Sequence, residues 1–224
     1  MTKNVFRRLS ILGMVAVAAY VVHVVLGGFL WNGYSHLMQP ISNLTASGAP
    51  YRELLGTILW FYAIPAILFG LFSYLYMRRF TPRVSQGGML LYLVMQIISF
   101  SYQFFPEDLP GAVPTFTGTM HLAITFLIIP LTILAPILIG IGFRKLKGFK
   151  GFGTYSIITG ILIFIFGGTT AVFYAQKLPY FGLVERLNIG TLQIWTFLIA
   201  LKLFCTDTEK MGKRADNKLP MSHN

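Results

Sequence analysis

Six long apolar runs limit what this chain can fold into. They are Leu9–Trp31, Leu54–Met77, Gly87–Phe105, Thr117–Phe143, Phe152–Ala175 and Leu187–Phe204. The first, 23 residues long, spans roughly 34 Å as a helix. A bilayer's hydrocarbon core is about 30 Å thick, and inside it every backbone N–H and C=O needs a partner within the protein. The runs therefore predict an all-α polytopic integral membrane protein, a bundle of six transmembrane helices over residues 9–204. Residues 1–8 form a polar N-terminus. Residues 205–224 form a polar tail that cannot bury apolar surface and is expected to be disordered. The first run is too long for a signal-peptide core and lacks a small-x-small cleavage site, so it reads as an uncleaved helix. Charged residues make up only 11% of the 224, against about 25% in a soluble domain.

The net charge of +11 raises the question of nucleic acid, and its distribution answers it. Fifteen of the 18 Lys and Arg residues fall on the termini and on the 78–86 and 144–151 turns, leaving Arg52, Lys177 and Arg186 on the other side. The positive-inside rule then predicts a cell-membrane protein with both termini in the cytoplasm. The basic balance is a topology signal, membrane lipids are the expected partners, and nucleic acid is not. Cys205 stands alone, so no internal disulfide is expected.

The outer side carries the chemistry. Glu53, Glu107, Asp108 and Glu185 lie there with His36, Arg52, His121, Lys177 and Arg186. Asp108 and His121 are candidates for an acid–base pair, with Ser42 as nucleophile or donor and Arg186 as the binder of an anionic headgroup. His36, Asn43, Glu107, Glu185, Gln96 and Gln103 join Arg186 as candidate ligand-binding residues. Tyr92, Gln96, Ser99 and Gln103 recur at i, i+4, i+7 and i+11, so they share a face that should look into the bundle. Gly153, Gly160 and Gly167 form a small-residue seam. Asn43-Leu44-Thr45 matches a glycosylation sequon, a short motif that arises often by chance. No phosphate loop, dinucleotide fingerprint, metal cluster or nucleophile elbow is present, so no cofactor and no metal are expected.

Four motifs in order carry a resemblance: Pro40-Ile41-Ser42-Asn43-Leu44 after the first run, Phe105-Pro106-Glu107-Asp108 after the third, His121 early in the fourth, and Gly182-Leu183-x-x-Arg186 before the sixth. Together, over roughly residues 9–204, they resemble the prokaryotic six-helix membrane proteins grouped as domain of unknown function 998. That resemblance implies the architecture and no activity. It also implies an acidic residue where this chain has Asn43. The Pro-Ile-Ser element is similar to one in the Frag1/DRAM/Sfk1 group, which implies lipid-related roles. The ceramidase and adiponectin-receptor superfamily pairs histidines in its last helix. The sixth run here has none, so a zinc hydrolase is not expected. Three readings stay open: a protein binding a lipid headgroup or small ligand at its outer face, a membrane-embedded hydrolase or transferase acting on lipids, and a small transporter.

Overall fold

A computed structural model describes residues 2–206; the expectation for the tail beyond Thr206 lies outside the described residues. The elements in order are α1 (Lys3–Leu9), α2 (Ile11–Leu30), α3 (Arg52–Met77), α4 (Arg83–Phe100), α5 (Phe116–Phe143), α6 (Lys150–Ala175) and α7 (Phe181–Cys205). Single 3-10 turns occupy Ser42–Thr45 and Ser101–Gln103. α1 and α2 form one apolar span, Asn4–Leu30, and with it six helices are long and apolar enough to cross a membrane. Among the described residues there is no strand, only a one-residue bridge between Ser47 and Asp108. The protein is an all-helical, multi-pass membrane protein.

The helices are held by their own ladders, as hydrocarbon requires. Many hydroxyls inside them bond back one turn: Ser156 to Phe152 O at 3.0 Å, Thr159 to Tyr155 O at 3.0 Å, Thr170 to Phe166 O at 2.8 Å. Pro130 and Pro136 do not interrupt the fourth span. α5 runs through both for 28 residues, and α3 runs through Pro65. Each proline removes one ladder bond, and breaking the helix would orphan several more. One boundary differs more. The last helix starts at Phe181, not Leu187, because Tyr180 adopts a left-handed turn (φ 67°) that launches the helix early. Glu185 and Arg186 are therefore helical residues with fixed positions.

Each helix packs on its neighbours in sequence, and α7 closes back onto α2, so α2 to α7 form a ring in chain order. Glycines set the closest approaches. A Cβ on Gly160 would lie 2.8 Å from Ile133 O, and one on Gly153 would lie 2.7 Å from Gly140 O, so only hydrogen lets α6 meet α5 there. Gly167 leaves this seam and faces Asn188 of α7. The main core gathers Phe6, Met77, Phe143, Phe149 and Leu203 with Phe69 and Trp195. A second cluster of Ile41, Leu44 and Leu55 seats the first connection. Phe61, Phe126, Phe164 and Ile194 are exposed on the ring's outer surface, as lipid-facing side chains should be.

The connections collect at two ends. One end carries the chain's beginning, the 78–82 and 144–149 turns and the end of α7, and it is basic. The other carries residues 31–51, 104–115 and 176–180, and it is acidic.

Candidate functional site

The acidic end is organised by the longest connection, which lies across it as a strap and is held from below by α7. The first turn of any helix leaves N–H groups without partners. Here the strap supplies acceptors: Gly182 N donates to Met38 O at 3.3 Å and Leu183 N to Leu37 O at 3.0 Å. Position 182 must be glycine, since a Cβ would sit 2.8 Å from both His36 O and the Arg186 guanidinium. The two charged residues that follow grip the next stretch of strap. Arg186 Nη1 donates to Gln39 O at 2.8 Å and to Gly182 O at 2.9 Å. Its Nη2 donates to Tyr34 Oη at 2.6 Å, and Tyr34 in turn donates to Pro40 O at 2.8 Å. The guanidinium carbon also stands 5.7 Å from the centre of the Tyr34 ring. Glu185 Oε2 accepts the Ile41 N–H at 2.6 Å. Tyr34's hydroxyl is pushed up to about 12, first by burial and against the pull of Arg186. His36 packs on Gly28 of α2, and burial, aided by Arg186, lowers its pKa.

The strap's 3-10 turn then dips towards the second connection. Ser47 N donates to Glu107 O at 2.8 Å, and the Ser42 hydroxyl bonds the Glu107 carboxyl. Burial raises the pKa of Glu107. The Ser42 bond and the charge of His121 pull it back, and Asp108 adds to the rise. Asn43 is 1% exposed, and neither its amide nitrogen nor its amide oxygen has a partner in the protein. Glu107 Oε2, Arg186 Nε and Asn188 Oδ1 are buried without partners as well. Folded chains pair the great majority of such atoms. Burial also closes the sequon, because the Asn43 side chain is out of reach in the folded chain.

The sequence candidates divide. Ser42, Asn43, Glu107, Glu185 and Arg186 are gathered by the strap. Asp108 is occupied elsewhere: Oδ2 accepts Thr115 N at 2.8 Å, Oδ1 accepts the Thr115 hydroxyl at 2.7 Å, and Thr115 Oγ1 accepts Gly118 N at 3.1 Å. Asp108 is thus part of the N-terminal cap of α5. His121 Nδ1 donates to Phe105 O at 3.0 Å, with its ring 4.5 Å from that of Tyr102. These bonds join Asp108 neither to His121 nor to Arg186. Gln103 lies half-buried in the turn after α4, and Gln96 is 2% exposed inside the ring, where its Oε1 accepts from Tyr62 Oη at 3.3 Å.

Other members of the site were not singled out from the sequence. Gln193 follows Glu185 at i+8 on one face of α7, and Asn188, at i+3, turns towards Gly167 of α6. Tyr34 and Gln39 carry no such signal, since a loop tyrosine and a loop glutamine say nothing about where a distant arginine will stand.

The free atoms at the acidic end include donors (Asn43 Nδ2, Arg186 Nε) and acceptors (Asn43 Oδ1, Glu107 Oε2). That set suits a group that both gives and takes hydrogen bonds. Among the described residues, no three His, Cys, Asp or Glu side chains are grouped to hold a metal.

No curated protein and no solved structure matches the chain. The resemblance to the Frag1/DRAM/Sfk1 group finds no support. One family does match, over residues 14–202, and it is the one that the order of the four motifs implied. By that match, which reaches into all six apolar helices, the chain belongs to DUF998, a family whose description reads "protein of unknown function".

Proposed function

We propose that this is a cell-membrane binding protein that takes a hydroxyl- or amine-bearing group beneath the 34–47 strap. The group belongs either to a lipid headgroup or to a free small molecule. One observation carries the reading: Asn43 is enclosed, yet both of its amide atoms lack partners, as do Glu107 Oε2 and Arg186 Nε at the same end of the bundle. A buried amide left unpaired costs about 1–3 kcal/mol per atom, so a fold that keeps one has a use for it. Exposed Phe29, Val113 and Phe116 ring this end, which suits the level at which headgroups sit. The basic end faces the cytoplasm in this reading and the strap faces outward, in keeping with the 15-to-3 division of basic residues.

Native mass spectrometry of the protein released from membranes tests the binding reading. Wild type should carry an adduct that Asn43→Leu and Glu107→Gln lose and Asp108→Ala keeps. An adduct that survives extensive lipid exchange, and returns only on adding aqueous extract, is a free solute; one that exchanges with the bilayer is a lipid. Identical adducts on wild type and Asn43→Leu would remove the site. For the orientation, Ala112→Cys should label from outside intact cells in a Cys205→Ser background, and Lys147→Cys should not. The reverse result would invert the topology.

A further inference from the structure

The unpartnered polar atoms do not stop at the strap. Glu185, Gln193 and Thr196 descend one face of α7, with Asn188 at its edge towards Gly167 of α6, opposite Tyr92, Gln96 and Ser99 on α4 and Gln103 in the turn that follows it. Asn188 Oδ1 is unpartnered one turn below Glu185, and Gln193 Oε1 is unpartnered roughly 12 Å below it at 1.5 Å per residue. Gln193 is 7% exposed, so neither lipid nor bulk solvent meets that oxygen. Between the two stripes stand tyrosines from α2 and α3. Tyr62 Oη bonds both Gln96 Oε1 and Gln193 Nε2 at 3.3 Å, and the Tyr20 ring centre is 5.1 Å from that of Tyr62. Tyr62 lies ten residues into α3, about 15 Å below the acidic end of that helix.

Further down the polar groups thin out. A cavity of about 10 Å³, room for one water molecule, lies among Phe69, Met89, Tyr92 and Trp195 with Ser73 at its wall. Ser73 Oγ is the last unpartnered atom. Beyond it Phe6, Met77, Phe143, Phe149 and Leu203, none more than 1% exposed, close the ring towards the basic end.

We infer that α2, α3, α4 and α7 enclose a file of water that enters beneath the strap, runs down to Tyr62 and Gln193, and is stopped by the aromatic plug. The atoms along the way ask for opposite things. Gln193 Oε1 and Asn188 Oδ1 can only accept, and Arg186 Nε can only donate. Water satisfies both kinds, and in a low-dielectric bundle leaving them unmet is costly. Such a file gives one compartment access to the middle of the membrane and denies it to the other. Protons and very small hydrogen-bonding solutes from the strap side would reach Tyr62, Gln96 and Gln193 without crossing.

Hydroxyl radicals made from water in place label only the side chains that water touches. The full-length protein in lipid nanodiscs is footprinted this way, and each rate is divided by that residue's rate in the unfolded chain. Tyr20 and Tyr62 should oxidise several-fold faster than Phe143 and Phe149 in the plug, and faster than Phe166, which is half-buried like the two tyrosines but stands on α6, outside the file. Gln193→Leu, which removes the central acceptor and fills its space, should lower the rate at Tyr62 and leave Tyr34 unchanged. Should that variant fail to fold, the wild-type pattern decides alone. Tyr20 and Tyr62 labelled no faster than the equally half-buried Phe166 would overturn the inference. The pattern does not require a ligand beneath the strap, so this inference and the proposed binding function fail separately.

Discussion

Asn43→Leu is the most informative single change, because two accounts of the same residue give it opposite signs. Leucine has the branching and heavy-atom count of asparagine, so the substitution exchanges polarity while keeping the side chain's shape, and its bulkier methyl groups add the same packing cost under either account. Asn43 is 1% exposed, with two unpartnered polar atoms. If nothing met them in the working protein, each would cost about 1–3 kcal/mol, and leucine would raise stability by about 2–6 kcal/mol. If a ligand group meets them, that gain disappears. Two hydrogen bonds worth about 0.5–1.5 kcal/mol each are lost instead, a destabilisation of about 1–3 kcal/mol. The two outcomes are several kcal/mol apart, within reach of reversible unfolding in mixed bicelles. The binding proposal expects the loss, accompanied by release of the adduct. Stabilisation by 2 kcal/mol or more would refute the reasoning and make Asn43 an uncompensated defect.

Further predictions bear on the strap, the cap, the seam and pH. Glu185→Leu removes the acceptor of the Ile41 N–H and should cost about 1–3 kcal/mol, seen as faster proteolysis within 34–47, whereas Glu185→Gln keeps an acceptor and should cost less. Asp108→Ala breaks the α5 cap and should cost about 0.5–2 kcal/mol in unfolding while leaving ligand retention intact; loss of retention at unchanged stability would instead make Asp108 part of the site. Gly160→Val drives a side chain against Ile133 O and should destabilise the α5–α6 pair by about 1–3 kcal/mol, measured by the same unfolding assay. Glu107 holds its proton more tightly folded than unfolded, because burial raises its pKa above the ordinary 4.5. Its contribution to stability is therefore present below that value and lost as pH rises through the folded pKa. Glu107→Gln should flatten this part of the pH–stability curve, and an unchanged slope would assign it to another group.

Much of the fold is visible in the residues because the membrane leaves few alternatives: an apolar run of sufficient length must be a helix. Gln96 on the inward stripe of α4 follows from the same constraint. The boundary at Phe181 was not legible, since Gly182-Leu183-Val184-Glu185-Arg186 is only moderately apolar and its helicity depends on acceptors from residues 37 and 38. The site was half legible. Glu107, Glu185, Arg186 and Asn43 stand out as polar residues beside hydrocarbon. Their grouping was not visible, because side-chain pairing depends on which way each helix turns its face. Asp108 shows why: in sequence it is one of two adjacent carboxylates, and only Thr115, seven residues on, makes it a cap.

The bonds that hold the strap join the two ends of the spanning region. Ile41 and Glu185 are 144 residues apart in the chain, Gln39 and Arg186 are 147, and Tyr34 and Arg186 are 152. A membrane protein is threaded into the bilayer from its first helix onward, so the strap emerges early, packs on α2 and α3, and lacks its hydrogen-bonded grips at Tyr34, Gln39 and Ile41 until α7 arrives. Through most of synthesis the strap is held by its apolar packing, without the polar bonds from α7 that fix residues 34–41 in the finished fold. Insertion of the final helix ends that interval and brings Glu185 and Arg186 to the strap in one step. A chain cut short before Phe181 would keep five of its six spans and lose Glu185 and Arg186, the two residues that hold the strap across the proposed site.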